Sequence, residues 1–86
     1  MKKTIFLKGQ FVILNQTVKA SCGTILAGKY QLVKICNPEP DTDNDITVYV
    51  NKSHEDGKKY LYICISKFDI ATDEQIKEKL YLYESH

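Results

Sequence analysis

Arginine and tryptophan are absent from this 86-residue chain, and no acidic residue precedes Glu39. Without arginine, every basic charge is a lysine, a hydrated point charge lacking the planar fork that grips bases or phosphates bidentately. Nucleic-acid contact would therefore rest on backbone charge, with little direct reading of base edges. Three cysteines, Cys22, Cys36 and Cys64, are too few and too widely spaced for a disulfide framework, and an odd number leaves one unpaired. That usage implies a reducing, cytoplasmic setting. The four glycines stand apart at positions 9, 23, 28 and 57, which excludes a glycine-rich phosphate loop. No segment approaches the ~20 apolar residues needed to cross a bilayer, so no membrane partner is expected. Met1-Lys2-Lys3 resembles the head of a secretory leader, and Lys19-Ala20-Ser21-Cys22 echoes a lipoprotein cleavage site. Lys8-Gly9-Gln10 interrupts the apolar stretch, however, and Lys19 stands where such a site carries an aliphatic residue, so export is rejected. The sequons at Asn15-Gln16-Thr17 and Asn51-Lys52-Ser53 then carry no glycan.

What is present is divided along the chain. Lys2, Lys3, Lys8, Lys19, Lys29 and Lys34 give the first 38 residues a formal charge of +6. The remaining 48 carry six lysines against eleven carboxylates, a charge of −5. Such a split implies either an anionic partner for the basic half or pairing between copies. The length allows one domain over residues 1–86, burying roughly 60–65% of its unfolded surface, so association would add useful stability.

Short strands dominate the pattern. Thr4 to Leu7 and Phe11 to Leu14 are apolar and β-prone, with a glycine-containing break between them. A polar stretch from Asn15 to Gly23 leads to a turn at Thr24-Ile25-Leu26-Ala27-Gly28. Tyr30 to Cys36 alternates, with Val33 and Ile35 on one face and Leu32 and Lys34 on the other. Asn37-Pro38-Glu39-Pro40 ends that strand, and the acidic loop Asp41 to Asp45 follows. Ile46 to Val50 and Tyr60 to Ile65 also alternate and are expected to form an antiparallel hairpin across a polar loop, residues 51–59, that holds Asp56-Gly57. Ile46, Val48, Val50, Leu61, Ile63 and Ile65 then face inward, leaving the other face to solvent or a partner. Thr72-Asp73-Glu74-Gln75 is a capping box, with Asp73 and Glu74 at the positive end of the helix dipole. Ile76, Leu80 and Tyr83 share one helical face; Tyr81-Leu82-Tyr83 reads equally as helix or as a last strand.

Few groups point to chemistry. Asp41, Asp43 and Asp45 resemble the start of a calcium loop, but its sixth position is Ile46 where glycine is required and its twelfth is Lys52 where glutamate is required. The segment reads as a solvated acidic turn. The cysteines lack C-x-x-C spacing, and His54 and His86 lie in a loop and at the terminus, so no metal, cofactor or catalytic set is assigned. Cys36 and Cys64 fall on strands, where a free cysteine acts as a small buried hydrophobe, and Cys22 is the exposed thiol. If Leu61, Ile63 and Ile65 point inward, Tyr60 and Tyr62 point outward beside Tyr49, with Lys58 and Lys59 at the rim. A tyrosine surface of this kind suits protein contact or a dimer seam. Aromatic rings among lysines can also stack bases. A third reading has the C-terminal helix or the N-terminal strand cover the rings.

The succession from Phe11 to Ile70 resembles the small SH3-like β-barrels: an apolar strand, a polar loop, the Thr24 to Gly28 turn, the Tyr30 to Ile35 strand, a hairpin, then Ser66-Lys67-Phe68-Asp69-Ile70. The resemblance implies a short 3₁₀ turn leading into the last strand, with an extra N-terminal strand and a short capped C-terminal helix outside the barrel. That fold serves protein-binding, RNA-binding and ribosome-associated modules, so it does not select among them. The expectation is a mostly β, α+β protein working as a non-catalytic inhibitor or adaptor that occludes a bacterial protein or protein–RNA surface. Its contact residues would be Tyr49, Tyr60, Tyr62, Lys58 and Lys59, and it could be a homo-oligomer. The alternative is an RNA-binding module using Lys2, Lys3, Lys8, Lys19, Lys29 and Lys34. Lysine-, isoleucine- and asparagine-rich usage fits an AT-rich bacterial or phage genome.

Overall fold

The computed structural model describes residues 6–85. Among those residues seven strands, numbered in chain order, form two antiparallel units. Phe11–Leu14 (β1), Leu32–Asn37 (β4), Asp45–Tyr49 (β5), Leu61–Cys64 (β6) and Phe68–Ile70 (β7) make a five-stranded sheet in the order β6-β5-β4-β1-β7. Val18–Lys19 (β2) and Ile25–Ala27 (β3) make a separate ribbon. Helix α1 spans Lys52–Asp56 and α2 spans Asp73–Glu84, and a 3₁₀ turn at Ile65–Lys67 precedes β7. Among the described residues the sheet does not close on itself, so β6 and β7 are its edges. No described helix is long and apolar enough to cross a membrane.

The two faces of the sheet are covered differently, and the sequence pattern of each strand follows from that. On one face Val12, Leu14, Val33, Ile35, Ile46, Val48, Ile63 and Phe68 meet Val18 and Ala27 of the β2–β3 ribbon, with Phe6 and Val50 closing the cluster. On the other face α2 crosses β1 and β4, packing Ile76, Leu80 and the buried Tyr83 onto Phe11, Ile13 and Leu32. Strands β1 and β4 are thus covered on both sides, which is why Val12, Ile13 and Leu14 are consecutively apolar. β5 and β6 lie beyond the helix, so they alternate. Each buried aliphatic side chain contributes roughly 1.5–3 kcal/mol relative to exposure.

Helix α2 starts as its capping box dictates: Thr72 Oγ1 accepts from Gln75 N–H at 3.1 Å, and Gln75 Oε1 accepts from Thr72 N–H at 2.9 Å. It runs on through Tyr81, Leu82 and Tyr83, settling that stretch as helix. The 51–59 segment is not simply a polar loop. Asn51 Oδ1 accepts from His54 N–H at 2.9 Å, capping the one-turn α1, and Gly57 closes its other end. Thr24 to Gly28 holds a strand as well as a turn, because Val18 pairs with Ala27. Of the expected first strand, Thr4 and Ile5 lie outside the described residues, while Phe6 is buried and Leu7 exposed, both outside any strand.

Candidate functional site: an exposed tyrosine face

Register fixes what the outer face of β5 and β6 presents. Lys34 on β4 pairs with Tyr49, and Thr47 pairs with Tyr62. Since Ile46, Val48 and Ile63 fill the core, Tyr49, Tyr60 and Tyr62 must point the other way. Helix α2 does not reach them all: Tyr60 and Tyr62 remain 46% and 62% exposed, and Tyr49 is half-buried. The Tyr60 and Tyr62 rings meet edge to face, centroids 5.6 Å apart, an arrangement favoured by the ring quadrupole. Neighbouring Tyr60, with a smaller effect from Asp41, pushes the Tyr62 phenol above its ordinary range. The Cys36 side chain does the same to Tyr49. Both rings therefore stay neutral hydrogen-bonding groups at physiological pH. Lys58 and Lys59 are exposed at the start of β6, where their N–H groups donate to Glu55 and His54 carbonyls at 3.2 and 2.8 Å. The sequence-predicted set Tyr49, Tyr60, Tyr62, Lys58 and Lys59 is thus drawn from β5, β6 and the segment leading into β6.

The boundary between this face and α2 is an ionic cluster. Glu55 Oε2 accepts from Lys34 Nζ at 3.0 Å, and Glu55 Oε1 accepts from the Tyr83 hydroxyl at 2.8 Å. These two bonds, the lysine's first, hold the Glu55 carboxyl below its usual range. Burial, reinforced by Glu55, raises the Tyr83 phenol. Lys34 is therefore engaged within the fold and is a poor phosphate ligand.

The other lysines proposed for RNA are spread over several elements. Lys8 lies in the turn before β1, Lys19 on β2 and Lys29 in the β3–β4 turn, while Lys2 and Lys3 lie outside the described residues. Lys29 does reach a feature absent from the sequence reading. Tyr30 has a left-handed backbone, φ 69°, which costs a non-glycine residue about 1–2 kcal/mol. Its ring lies 5.0 Å from Lys29 Nζ and 5.9 Å from Lys79 Nζ, and Lys79 Nζ donates to its carbonyl at 2.7 Å. Together with Gln31, Asn51 and Leu82 they line an open cleft of about 460 Å³. No local signal joins Lys79 to Tyr30, 49 positions apart; only the seating of α2 on β4 does so.

The cysteines and acidic turn also take definite places. Cys36 and Cys64 are half-buried on the outer face, not core hydrophobes, and Cys22 is exposed. Cys64 Sγ lies 3.2 Å from Ser66 Oγ, a contact that lowers its pKa; Cys22 is lowered likewise by Thr24. Asp41 Oδ1 accepts from the N–H groups of Asp43 and Asp45 at 2.9 and 3.0 Å, tying the acidic turn to itself. Ile46 is buried on β5 and Lys52 begins α1, so neither occupies a position in a calcium loop. No protein-family model, no curated protein and no solved structure matches this chain.

Proposed function

We propose that this protein is a non-catalytic binding module, an inhibitor or adaptor that occludes a protein surface with Tyr49, Tyr60 and Tyr62, rimmed by Lys58 and Lys59. The observation that carries the reading is the bare half of the sheet: α2 covers β1 and β4 and stops short of the Tyr60–Tyr62 pair. Rigid rings on strands cost little entropy to immobilise and bury a large area, which is why tyrosines dominate contact energies. The strand order, with a 3₁₀ turn ahead of β7, supports the likeness to SH3-like barrels. A cytoplasmic setting accords with the unpaired cysteines. The test is capture of partner proteins by the immobilised chain, compared with a Tyr60→Ser/Tyr62→Ser variant. Loss of about 30-fold in affinity per ring, at an unchanged melting temperature, is expected. Undiminished capture, or a lost melting transition, refutes the assignment.

A second reading, RNA binding, is favoured by one observation: Tyr30 flanked by Lys29 and Lys79 pairs a stacking surface with cations. It requires single-stranded RNA affinity that falls with salt at a log–log slope of about −0.7 per phosphate contact. A flat salt dependence rejects it.

A further inference from the structure

Among the described residues, strand β6 has a β neighbour on one side only. The bond from Ile65 N–H to Asn44 C=O, 2.9 Å, sets the phase of its ladder with β5. Bonded and non-bonded pairs alternate in an antiparallel ladder. Leu61 and Ile63 therefore bond to β5, and the backbone groups of Tyr60 and Tyr62, with the Cys64 N–H, turn to the open edge. Sequence does not guard this edge. Tyr60 to Ser66 contains no charge, proline or glycine, the devices that ordinarily stop edges from pairing. The opposite edge is guarded: β7 is three residues long with Asp69 at its centre, and Asn15 Nδ2 ties that carboxylate at 3.4 Å and the Ser66 carbonyl at 3.0 Å.

We propose that β6 pairs antiparallel with β6 of a second copy about a two-fold axis at Tyr62, joining two sheets into one. The proposal rests on the tyrosine-face reading, because it names a second copy as one occupant of that site. In this register Tyr62 faces its own counterpart, Tyr60 faces Cys64 and Lys59 faces Ile65, so the free backbone groups from Tyr60 to Cys64 meet partners. The tyrosine pairs of both copies form one patch, and the half-buried Leu61 and Ile65 gain cover on the opposite face. Charge selects the antiparallel sense. Ile65 of the second copy is bonded to Asn44, which stands between Asp43 and Asp45, and the carboxylates of Asp41, Asp43 and Asp45 lie within 4.8 Å of one another. In this sense Lys58 and Lys59, which precede β6, come to the far end of the second copy's β6, beside which its Asp41 to Asp45 turn enters β5. A parallel pairing would instead bring the lysines that precede β6 in the two copies side by side.

Sedimentation equilibrium of the full chain tests this, across concentrations up to the millimolar range. Twice the 9.9 kDa chain mass is expected. Tyr62→Lys and Tyr62→Glu each place like charges opposite one another and are expected to run as monomers, while their equimolar mixture returns to the dimer mass. Tyr60→Cys, set opposite the second copy's Cys64 at the ~5.5 Å Cα separation of a bonded pair, is expected to form an interchain disulfide under mild oxidation. Adding Cys64→Ser should abolish it. Monomer mass for the unaltered chain throughout the series, dimeric Tyr62→Lys and Tyr62→Glu, or no disulfide from Tyr60→Cys overturns the proposal. A dimer that captures no other protein overturns only the occlusion reading; a monomer that captures one through its tyrosines overturns only the dimer.

Discussion

Replacing Tyr83 by Phe isolates one hydrogen bond from the packing around it. The ring is 3% exposed and meets Phe11 edge to face at 5.2 Å, contacts that Phe retains. What is lost is the 2.8 Å bond from the hydroxyl to Glu55 Oε1. A bond to a charged group contributes about 1.5–3 kcal/mol, and Lys34 still holds the other carboxylate oxygen at 3.0 Å, so the lower figure applies. With a urea slope of roughly 1 kcal/mol/M for so small a chain, the midpoint should fall by about 1.5 M. The same pair governs the pH limits. Lys34 and Tyr83 hold the folded Glu55 carboxyl below its ordinary 4.5. Its contribution is therefore complete above that value and is lost as pH falls through the folded one. Burial and Glu55 keep the folded Tyr83 phenol protonated past its ordinary 10.0, so stability declines as pH rises beyond 10, and Tyr83→Phe should flatten that alkaline limb. Urea titrations of Tyr83→Phe, Glu55→Gln and the double variant check the account. A midpoint shift below about 0.3 M, or strictly additive effects, would refute it, since contacting groups must couple.

Thr72→Ala removes one half of the capping box at the start of α2 and should cost about 1 kcal/mol, with faster amide exchange in the first turn. Ile46→Ala, at a fully buried site between β4 and β6, should cost about 2–5 kcal/mol. Its thermal transition should fall by 10 °C or more at roughly 4–8 °C per kcal/mol.

Much of the sheet is legible because period-2 alternation needs only local sequence. Ile46, Val48 and Ile63 announce their inward face, and Tyr60 and Tyr62 follow as outward residues. The capping box at Thr72 is equally local. Helix α1 escaped because the Asn51 cap stands within polar residues that also compose a loop. Cys36 and Cys64 share the parity of Lys34 and Tyr62, so alternation places them on the outer face, where cysteine's usual preference for the core is overridden. Lys34 looked free because its partner Glu55 is 21 residues away on α1. The Lys29–Tyr30–Lys79 cleft depends wholly on tertiary docking of α2. Charge division along the chain likewise did not become division in space, since β1 and β4 from the basic half lie between β5 and β7 from the other.

Contact through the bare tyrosine face is the proposal on which the binding function rests. Amide and tyrosine-ring resonances followed by NMR, while a captured partner protein is titrated in, test it most directly. The account predicts that Thr47, Tyr49, Tyr60 and Tyr62 shift first and saturate together, with Tyr30 and Lys79 unmoved. Shifts confined to the Tyr30–Lys79 cleft, with the β5–β6 face unchanged at saturation, would contradict it.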